Sequence, residues 1–383
     1  MKRTIRALVW LCCLLAVFAL PVLAEETEDS WNQEEFYEEQ MEESGAQSLM
    51  DSLPPETQEL LRELGVESPD WQTLSAVEPT SFFARMGEML FQGLPQTAGA
   101  AAALLGIMVL CAFTSGLRIS FGFRQTEQAV AIVGTLSACA VIASPVLSCI
   151  QQASVLIEGA GAFLLAGVPV IAGIMLACGQ PVSAGGWSVF LIAAGNGVSF
   201  LSATVLLPVM NIFLAFSLVS SVSPQIRLDA LCSAFAKCVR WVLTTVVTVF
   251  CSLLSAQSLI AASADNATTK AAKMAVGFVP VVGSALGDAV GTVQECLKLL
   301  RSGVGGFGLL AALCLFLPVI IQCILWIFCC TLCGAAGEVL GLSEITGVLK
   351  ASSQVLQTLL AILISCGVVM LVAAVLVMRG GGG

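Results

Sequence analysis

Histidine is absent from this 383-residue sequence, and charged residues are scarce at 11%. Without an imidazole, neither a Ser-His-Asp nor a Cys-His catalytic arrangement can form. The phosphate-binding pattern G-x-x-x-x-G-K-[ST] does not occur either, which excludes a built-in nucleotide hydrolase of that type. The acidic residues of the apolar part are too scattered to nominate a catalytic carboxylate pair. The sequence therefore predicts a protein that is not an enzyme and has no catalytic or cofactor site.

Apolar residues take the place of the missing charge. They make up 57% of the chain, and the mean hydropathy is +0.95. This composition excludes an ordinary soluble globular protein. Apolar runs long enough to cross a bilayer as helices recur from residue 98 onward. The predicted fold is all-α, a polytopic membrane bundle of roughly seven to nine spanning helices.

Negative charge is concentrated near the N-terminus. Residues 25–97 contain 18 of the 26 acidic residues and only two bases, Arg62 and Arg85. From residue 98 onward, 11 bases outnumber 8 acids. Binding to nucleic acid needs a basic patch, so this charge distribution argues against nucleic acid as a partner. The partners predicted are the lipid bilayer and other proteins.

The first 24 residues have the order of a secretory signal peptide. A basic start with Lys2, Arg3 and Arg6 precedes an apolar run, and small residues end it. We expect cleavage between Ala24 and Glu25. The predicted organisation is a signal peptide at 1–24, an acidic extracytoplasmic region at 25–97 and a membrane domain at 98–383.

The acidic region is predicted to be partly disordered, because its first part has too few apolar residues to form a core. A short helix is predicted from Pro55, ending at Gly65. A second amphipathic helix is predicted over Thr80–Leu94, with its apolar face along the outer membrane surface. The same pattern is compatible with binding in the groove of a partner.

Nine membrane spans are predicted from the apolar runs, near residues 98–117, 129–149, 160–178, 187–203, 205–222, 240–262, 274–291, 304–332 and 355–378. With the N-terminus outside, nine spans place Arg301 and Arg379 in the cytoplasm and Lys350 outside. If span 274–291 re-enters from one side, Arg301 and Arg379 move outside and Lys350 moves inside. The positive-inside rule favours nine spans.

Sixteen cysteines are present, nearly all within apolar runs, where a thiol packs as a small hydrophobic group. The densest cluster is Cys329-Cys330-Thr331-Leu332-Cys333. It has no second C-x-x-C and no histidine nearby, so the sequence predicts no metal site there. Two isolated polar residues, Asn196 and Glu158, have two interpretations: they line a path, or, as is more common for such residues, they serve helix packing or lie at a membrane interface.

The stretch from Asp265 to Gly303 is rich in ionisable residues compared with its apolar surroundings. Val279-Pro280 is predicted to break it, because proline lacks a backbone donor and restricts the residue before it. Glycines spaced every four residues behind the break allow close approach of another helix. The functional or packing residues nominated by this pattern are Lys270, Lys273, Gly277, Pro280, Gly283, Gly287, Asp288 and Gly291.

Two interpretations of this stretch remain open. It is either a proline-kinked membrane hairpin with polar ends, or a polar, broken element that lines a pathway or forms a docking site.

The stretch also carries a family resemblance. Its lysines, followed by GFVPVVGSALGDAV and a segment ending LLRSG, resemble the most specific region of the stage III sporulation protein AE family of endospore-forming Firmicutes. The signal peptide, the segment LPPETQELLRELG and the polytopic remainder fit the same family. The resemblance implies a mother-cell membrane complex with other stage III sporulation proteins, in the outer membrane around the engulfed forespore. That complex meets a forespore membrane protein and is needed for late forespore development.

Two function hypotheses follow. The resemblance favours a membrane subunit of a channel or secretion-like complex, with a separate ATPase subunit as its energy source. The residues alone favour a stand-alone secondary transporter for a small solute, with the broken helix at its substrate site.

Overall fold

A computed structural model describes residues 41–42, 44–121, 124–200, 206–222, 229–277 and 283–379. The predicted cleavage site at Ala24 and Glu25 lies outside these residues, as does Pro280. The described part is helical and contains no strand. Its helices are α1 (Ser48–Asp51), α2 (Pro55–Glu63), α3 (Trp71–Ser75), α4 (Pro79–Phe121), α5 (Arg124–Ala177), α6 (Pro181–Phe200), α7 (Leu207–Val222), α8 (Asp229–Gly277), α9 (Gly283–Val339) and α10 (Ser343–Arg379).

Five helices of the described part are long and apolar enough to cross a membrane. Their apolar segments are Thr80–Thr114, Val130–Ala177, Ser233–Gln257, Leu297–Val339 and Ser343–Val375. The all-α membrane fold is thus confirmed, whereas the expectation of seven to nine spans exceeds the five helices found.

The difference has two sources: the predicted spans 187–203 and 205–222 correspond to α6 and α7, which are not among the five helices, and other predicted neighbouring spans merge into single helices. The expected loop between spans 129–149 and 160–178 lies inside α5, which has 54 residues. The expected loop between 274–291 and 304–332 lies inside α9, which has 57 residues. At 1.5 Å per residue these helices are about 80 and 85 Å long. The predicted loops at both places are wrong.

The apolar runs are interrupted by polar residues at these two places. The helices nevertheless continue through those residues. Glu158 is exposed on α5, and Lys298 is exposed on α9. Proline does not end these helices either, since Pro145 and Pro169 lie inside α5. Membrane helices tolerate proline because neighbouring helices and local adjustment satisfy the freed backbone groups.

Residues 44–78 form a small helical cap, α1 to α3, that packs on the bundle. Leu60 and Leu61 of α2 are buried, and Gly65 follows the helix with φ +82°. This left-handed conformation favours glycine at a helix end. The predicted short helix from Pro55 to Gly65 is therefore confirmed.

The predicted surface helix over Thr80–Leu94 is not a separate element. It forms the first part of α4, which runs without a break into the first apolar span. Its Arg85 pairs with Glu63 of α2 and with Glu88 one turn along, at 2.6 Å from Arg85 Nη1 to Glu88 Oε2. Pro95 lies inside α4, between this first part and the apolar span, and the position of the segment along the membrane surface stays a prediction.

Four long helices form the centre of the molecule. The most extensive contact joins α9 and α10, which form an antiparallel hairpin around Gly341. Helix α4 runs parallel to α9: Thr97 lies beside Cys329, and Ala101 lies beside Cys333. Helix α5 runs in the opposite direction to α9: Phe163 packs against Phe307, and Cys149 lies beside Cys323.

Helix α6 packs chiefly on α5 and helix α7 chiefly on α10, and both also contact α8 at different levels. Phe190 of α6 contacts Phe250 of α8, and Phe213 of α7 contacts Phe235 of α8. Along α8 these two contacts are 15 residues apart, or about 22 Å. Helices α6 and α7 therefore follow one another along α8, and do not form a side-by-side hairpin. The predicted division near Thr204 agrees with the ends of α6 and α7.

Candidate functional site

The nominated stretch lies at the junction of α8 and α9. Helix α8 ends at Gly277 and α9 begins at Gly283, on either side of Pro280. The predicted span 274–291 is thus divided between two helices. Gly287, Asp288 and Gly291 lie in the first turns of α9.

Lys270 and Lys273 lie within α8. They are one turn apart on this helix, and the loop expected between the predicted spans 240–262 and 274–291 is helical as far as Gly277. Of these eight nominated residues, the structure describes the backbone of seven. Their roles in packing or function stay predictions.

A second polar site, which the sequence did not predict, is built around Arg301 of α9. Its side chain is 3% exposed. Arg301 Nε donates a hydrogen bond of 2.5 Å to the carbonyl oxygen of Val377, and Nη1 donates one of 3.0 Å to Gln180 Oε1. Nη2 is buried and has no hydrogen-bond partner among the described residues. The Arg301 site thus joins α9 to the ends of three other helices, α5, α6 and α10.

Each partner of Arg301 is positioned by a helix end. Val377 is near the end of α10, where the last four carbonyls have no partner within the helix. Gln180 directly precedes α6. It is held by a hydrogen bond of 2.9 Å from its backbone N–H to the carbonyl of Met175, across Gly179 with φ +71°. Arg301 therefore ties the α5–α6 turn to the last turn of α10.

The sequence contains a signal for the buried position of Arg301. The nine-span prediction places Arg301 in a cytoplasmic loop, between spans 274–291 and 304–332. Leu297, Leu300 and Val304 are nevertheless spaced as one helical face with Arg301, and all are buried. A continued helical period would have placed the arginine inside the bundle.

The cap contacts the bundle at the same side as Arg301. A Cβ at Gly306 of α9 would lie 3.4 Å from Leu74 of α3, and one at Gly159 of α5 would collide with Pro54. Gly306 and Glu338 are 32 residues apart on one helix, or about 48 Å. The cap and Arg301 thus lie toward one end of α9, and Glu338 with Lys350, 2.6 Å apart, lies at the other.

The cysteine cluster packs between helices. Cys329, Cys330 and Cys333 are buried. The Cys329 thiol donates to the Thr97 carbonyl over 3.8 Å, and the Cys333 thiol lies 4.0 Å from the Ala101 carbonyl. Twelve cysteines in the described ranges are free thiols. Within those ranges, no group of three or more Cys, Asp and Glu side chains could hold a metal ion.

The two isolated polar residues are both exposed. Asn196 donates from its amide to the Ile192 carbonyl of its own helix at 2.8 Å. The backbone around it is close to α5, because a Cβ at Gly195 would lie 3.0 Å from the carbonyl oxygen of Gly161. The glycines here serve helix packing.

Taken together, the fold and these sites define an all-helical, multi-span membrane protein in which a buried arginine joins helix ends. The sequence model of the family described as Stage III sporulation protein AE matches residues 72–381. This chain belongs to the stage III sporulation protein AE family.

One curated relative supports the same assignment. It is the Stage III sporulation protein AE of Bacillus subtilis (strain 168), 27% identical over 167 residues. The alignment covers 43% of this chain and 42% of the relative, so the chain spans less than half the length of the relative that it matches. No solved structure matches.

Proposed function

We propose that this protein is a membrane subunit of a sporulation-specific channel or secretion-like complex that links mother cell and forespore. The observation that carries the proposal is the match to the stage III sporulation protein AE family over most of the membrane part. A bundle of apolar helices with a helical cap on one side fits a subunit that docks against others. The protein acts without catalysis, and a separate ATPase supplies energy.

The partners are other stage III sporulation membrane proteins in the same membrane and a forespore membrane protein opposite. The chain lies in the mother-cell-derived outer forespore membrane. Its cap and acidic N-terminal region then face the intermembrane space, where that forespore protein is reachable. Cleavage at Ala24 would leave this region outside the mother-cell cytoplasm.

The proposed topology has six crossings. Five crossings are the long apolar helices. The sixth is made by α6 and α7 together, which contact α8 at two successive levels. An even number returns the end of α10 to the side of the cap, where Val377 meets Arg301.

Co-purification tests the function. A tagged chain, expressed at its native level in sporulating cells and extracted with mild detergent, should bring other stage III proteins with it. Deletion of the gene that encodes this chain should lower spore counts, and reintroduction of the gene should restore them. A chain that purifies alone at normal abundance would support the stand-alone transporter and contradict the proposal.

A further inference from the structure

Helix α10 is enclosed by the bundle on most of its circumference. It contacts α5, α7, α8 and α9. From Ile345 to Gly367 its residues are buried, except along one narrow line. The residues of this line recur every three or four positions, as one side of a helix does. They are Gly347, Lys350, Ala351, Gln354, Gln357, Ala361, Ile364 and Ser365, of which Lys350 is exposed and the others are half-buried.

The line changes in character along α10. Its part from Lys350 to Ser365, which we term the hydrophilic line, consists of polar or small residues apart from Ile364 at its deep end. It extends for about 22 Å, against about 30 Å for a hydrocarbon core. Beyond it the half-buried positions are all apolar, namely Val368, Leu371, Val372 and Val375. The hydrophilic line therefore ends inside the bundle.

The other end of the hydrophilic line lies at a hydrated ion pair. Lys350 Nζ is 2.6 Å from Glu338 Oε1, and the two side chains are 67% and 56% exposed. This pair lies toward the end of α9 away from the cap. Gln354 follows Lys350 by one helical turn, so the line continues directly from a surface in contact with water.

The two glutamines of the line have more hydrogen-bonding groups than the described residues satisfy. Gln357 Nε2 donates to Ser353 Oγ at 3.1 Å, whereas the Gln354 amide has no hydrogen-bond partner among the described residues. The hydroxyl of Ser365, by contrast, donates to the Ala361 carbonyl at 2.7 Å. An amide without a partner is costly in lipid. The half-buried amides thus require water or another polar group beside them.

Lipid-facing positions at the same depth have a different chemistry. A Cβ at Gly334 of α9 would lie 3.9 Å from Leu349, so the antiparallel hairpin places Phe328 at about the level of Gln354 and Leu332 nearer the surface. Phe328 and Leu332 are 61% and 55% exposed. Large apolar side chains therefore occupy the open side of α9, while polar and small ones occupy the half-open line of α10.

We propose that the hydrophilic line forms one wall of a water-filled inlet, which opens at the Glu338–Lys350 end of the bundle, ends near Ser365 and admits small hydrophilic molecules. This inference deepens the proposed function and rests on it, because an inlet in one subunit becomes a route only within the complex. In the six-crossing topology the inlet opens toward the mother-cell cytoplasm. The apolar part of the line closes its inner end.

Cysteine accessibility tests the inlet. Single cysteines are placed in the full chain along the line and at two lipid-facing controls on α9. The line positions are Gln354, Gln357, Ala361 and Ser365, and the controls are Phe328 and Leu332. The tagged chain, with its partners, is held in native nanodiscs and treated with hydroxyethyl methanethiosulfonate, an uncharged hydrophilic reagent. Peptide mass spectrometry measures the labelled fraction at each position over time and distinguishes it from the native cysteines.

We expect labelling at the four α10 positions to be roughly tenfold faster than at the controls, because the reactive species is the thiolate, whose charge needs water. This order is the reverse of the side-chain exposure, which is greater at the controls. Ala361→Cys and Ser365→Cys change the side-chain volume little, so they keep the test decisive if a glutamine variant misfolds. Controls that react as fast as the α10 positions would overturn the proposal, and so would α10 positions that stay unlabelled.

The inlet and the proposed function fail in different ways. If partners co-purify but the hydrophilic line is unreactive, the inlet is wrong and the proposed function stands. If the chain purifies without partners, the proposed function is wrong whatever the labelling pattern.

Discussion

A buried arginine with two hydrogen bonds links three chain segments that are far apart in sequence. Arg301 reaches Gln180 at a separation of 121 residues and Val377 at a separation of 76. Hydrogen bonds from a charged donor contribute more than neutral ones, about 1.5–3 kcal/mol each. Arg301 should therefore matter more to stability than the exposed lysine one turn before it.

Replacing Arg301 with leucine should destabilise the protein by about 2–4 kcal/mol, because the Val377 carbonyl and the Gln180 amide lose their donor. Thermal unfolding in detergent measures the effect. Lys298→Leu is the matched control, since Lys298 is exposed on the same helix, and it should change little. Equal midpoints for the two variants would show that the Arg301 contacts contribute nothing.

Gly161 of α5 should also be sensitive to substitution, because its backbone lies close to α6. A Cβ at Gly161 would lie 3.0 Å from the backbone oxygen of Gly195, and would also collide with Ser199. Gly161→Ala should thus force α5 and α6 apart, at about 1–3 kcal/mol.

The control is Gly173→Ala on the same helix, where a Cβ meets nothing within 4 Å. That change should be neutral or stabilise the helix by up to about 1 kcal/mol. The same unfolding assay compares them, and a Gly161 variant as stable as the Gly173 variant would contradict the close crossing.

At the scale of elements, the sequence predicts which segments are helical better than it predicts where the helices end. Apolar runs identify helices, and Pro55 and Gly65 mark the ends of the first well-defined one. Polar residues inside long helices cannot be told from loop residues by composition, because a helix can expose them, as with Glu158, or bury them in a hydrogen bond, as with Arg301. The two contacts that decide this are with residues more than 70 positions away, so no local pattern contains them.

Lys270 and Lys273 are expected to meet an acidic group or partner at the rim of the bundle. Changing both to glutamate should block complex formation and lower spore counts while membrane insertion is kept, since the apolar span of α8 ends earlier, at Gln257. Lys237→Glu, at the other end of α8, is the comparison variant. Normal spore counts from the double variant at normal protein abundance would rule out a role for these lysines.

The glycines of α9 are predicted to form a close-packing face. Gly287→Leu should then reduce complex formation far more than Leu286→Val beside it, because a large side chain keeps a partner helix away. The yield of partner proteins in a pull-down, with the abundance of each variant checked by immunoblot, compares the two variants. Similar yields would mean that no helix approaches Gly287 closely.

At the scale of the whole molecule, the direction of α9 changes the side of the membrane on which Lys350 and Glu344 are expected. The sequence favours a topology with Lys350 and Glu344 outside. The structure places the cap and the Glu338–Lys350 pair toward opposite ends of α9, which agrees with the alternative in which Lys350 moves inside.

Single cysteines labelled with an impermeant maleimide test this arrangement. A cysteine at Glu67 in the cap should label from outside, whereas cysteines at Gln125 and Glu344 should label only after the membrane is opened. External labelling at Glu344 would contradict the six-crossing arrangement.

The parallel pair of α4 and α9 has a consequence for biosynthesis. Cys329 meets Thr97 across 232 residues of sequence, so α4 enters the membrane long before its neighbour has been made. At 5–20 residues per second, α4 waits for roughly ten to fifty seconds. During that time its inner side, including Leu104 and Met108, which are fully buried in the finished bundle, is covered by lipid or by a chaperone. A ribosome that stops before α9 leaves a product without its central helix, and such products should be substrates for membrane proteases.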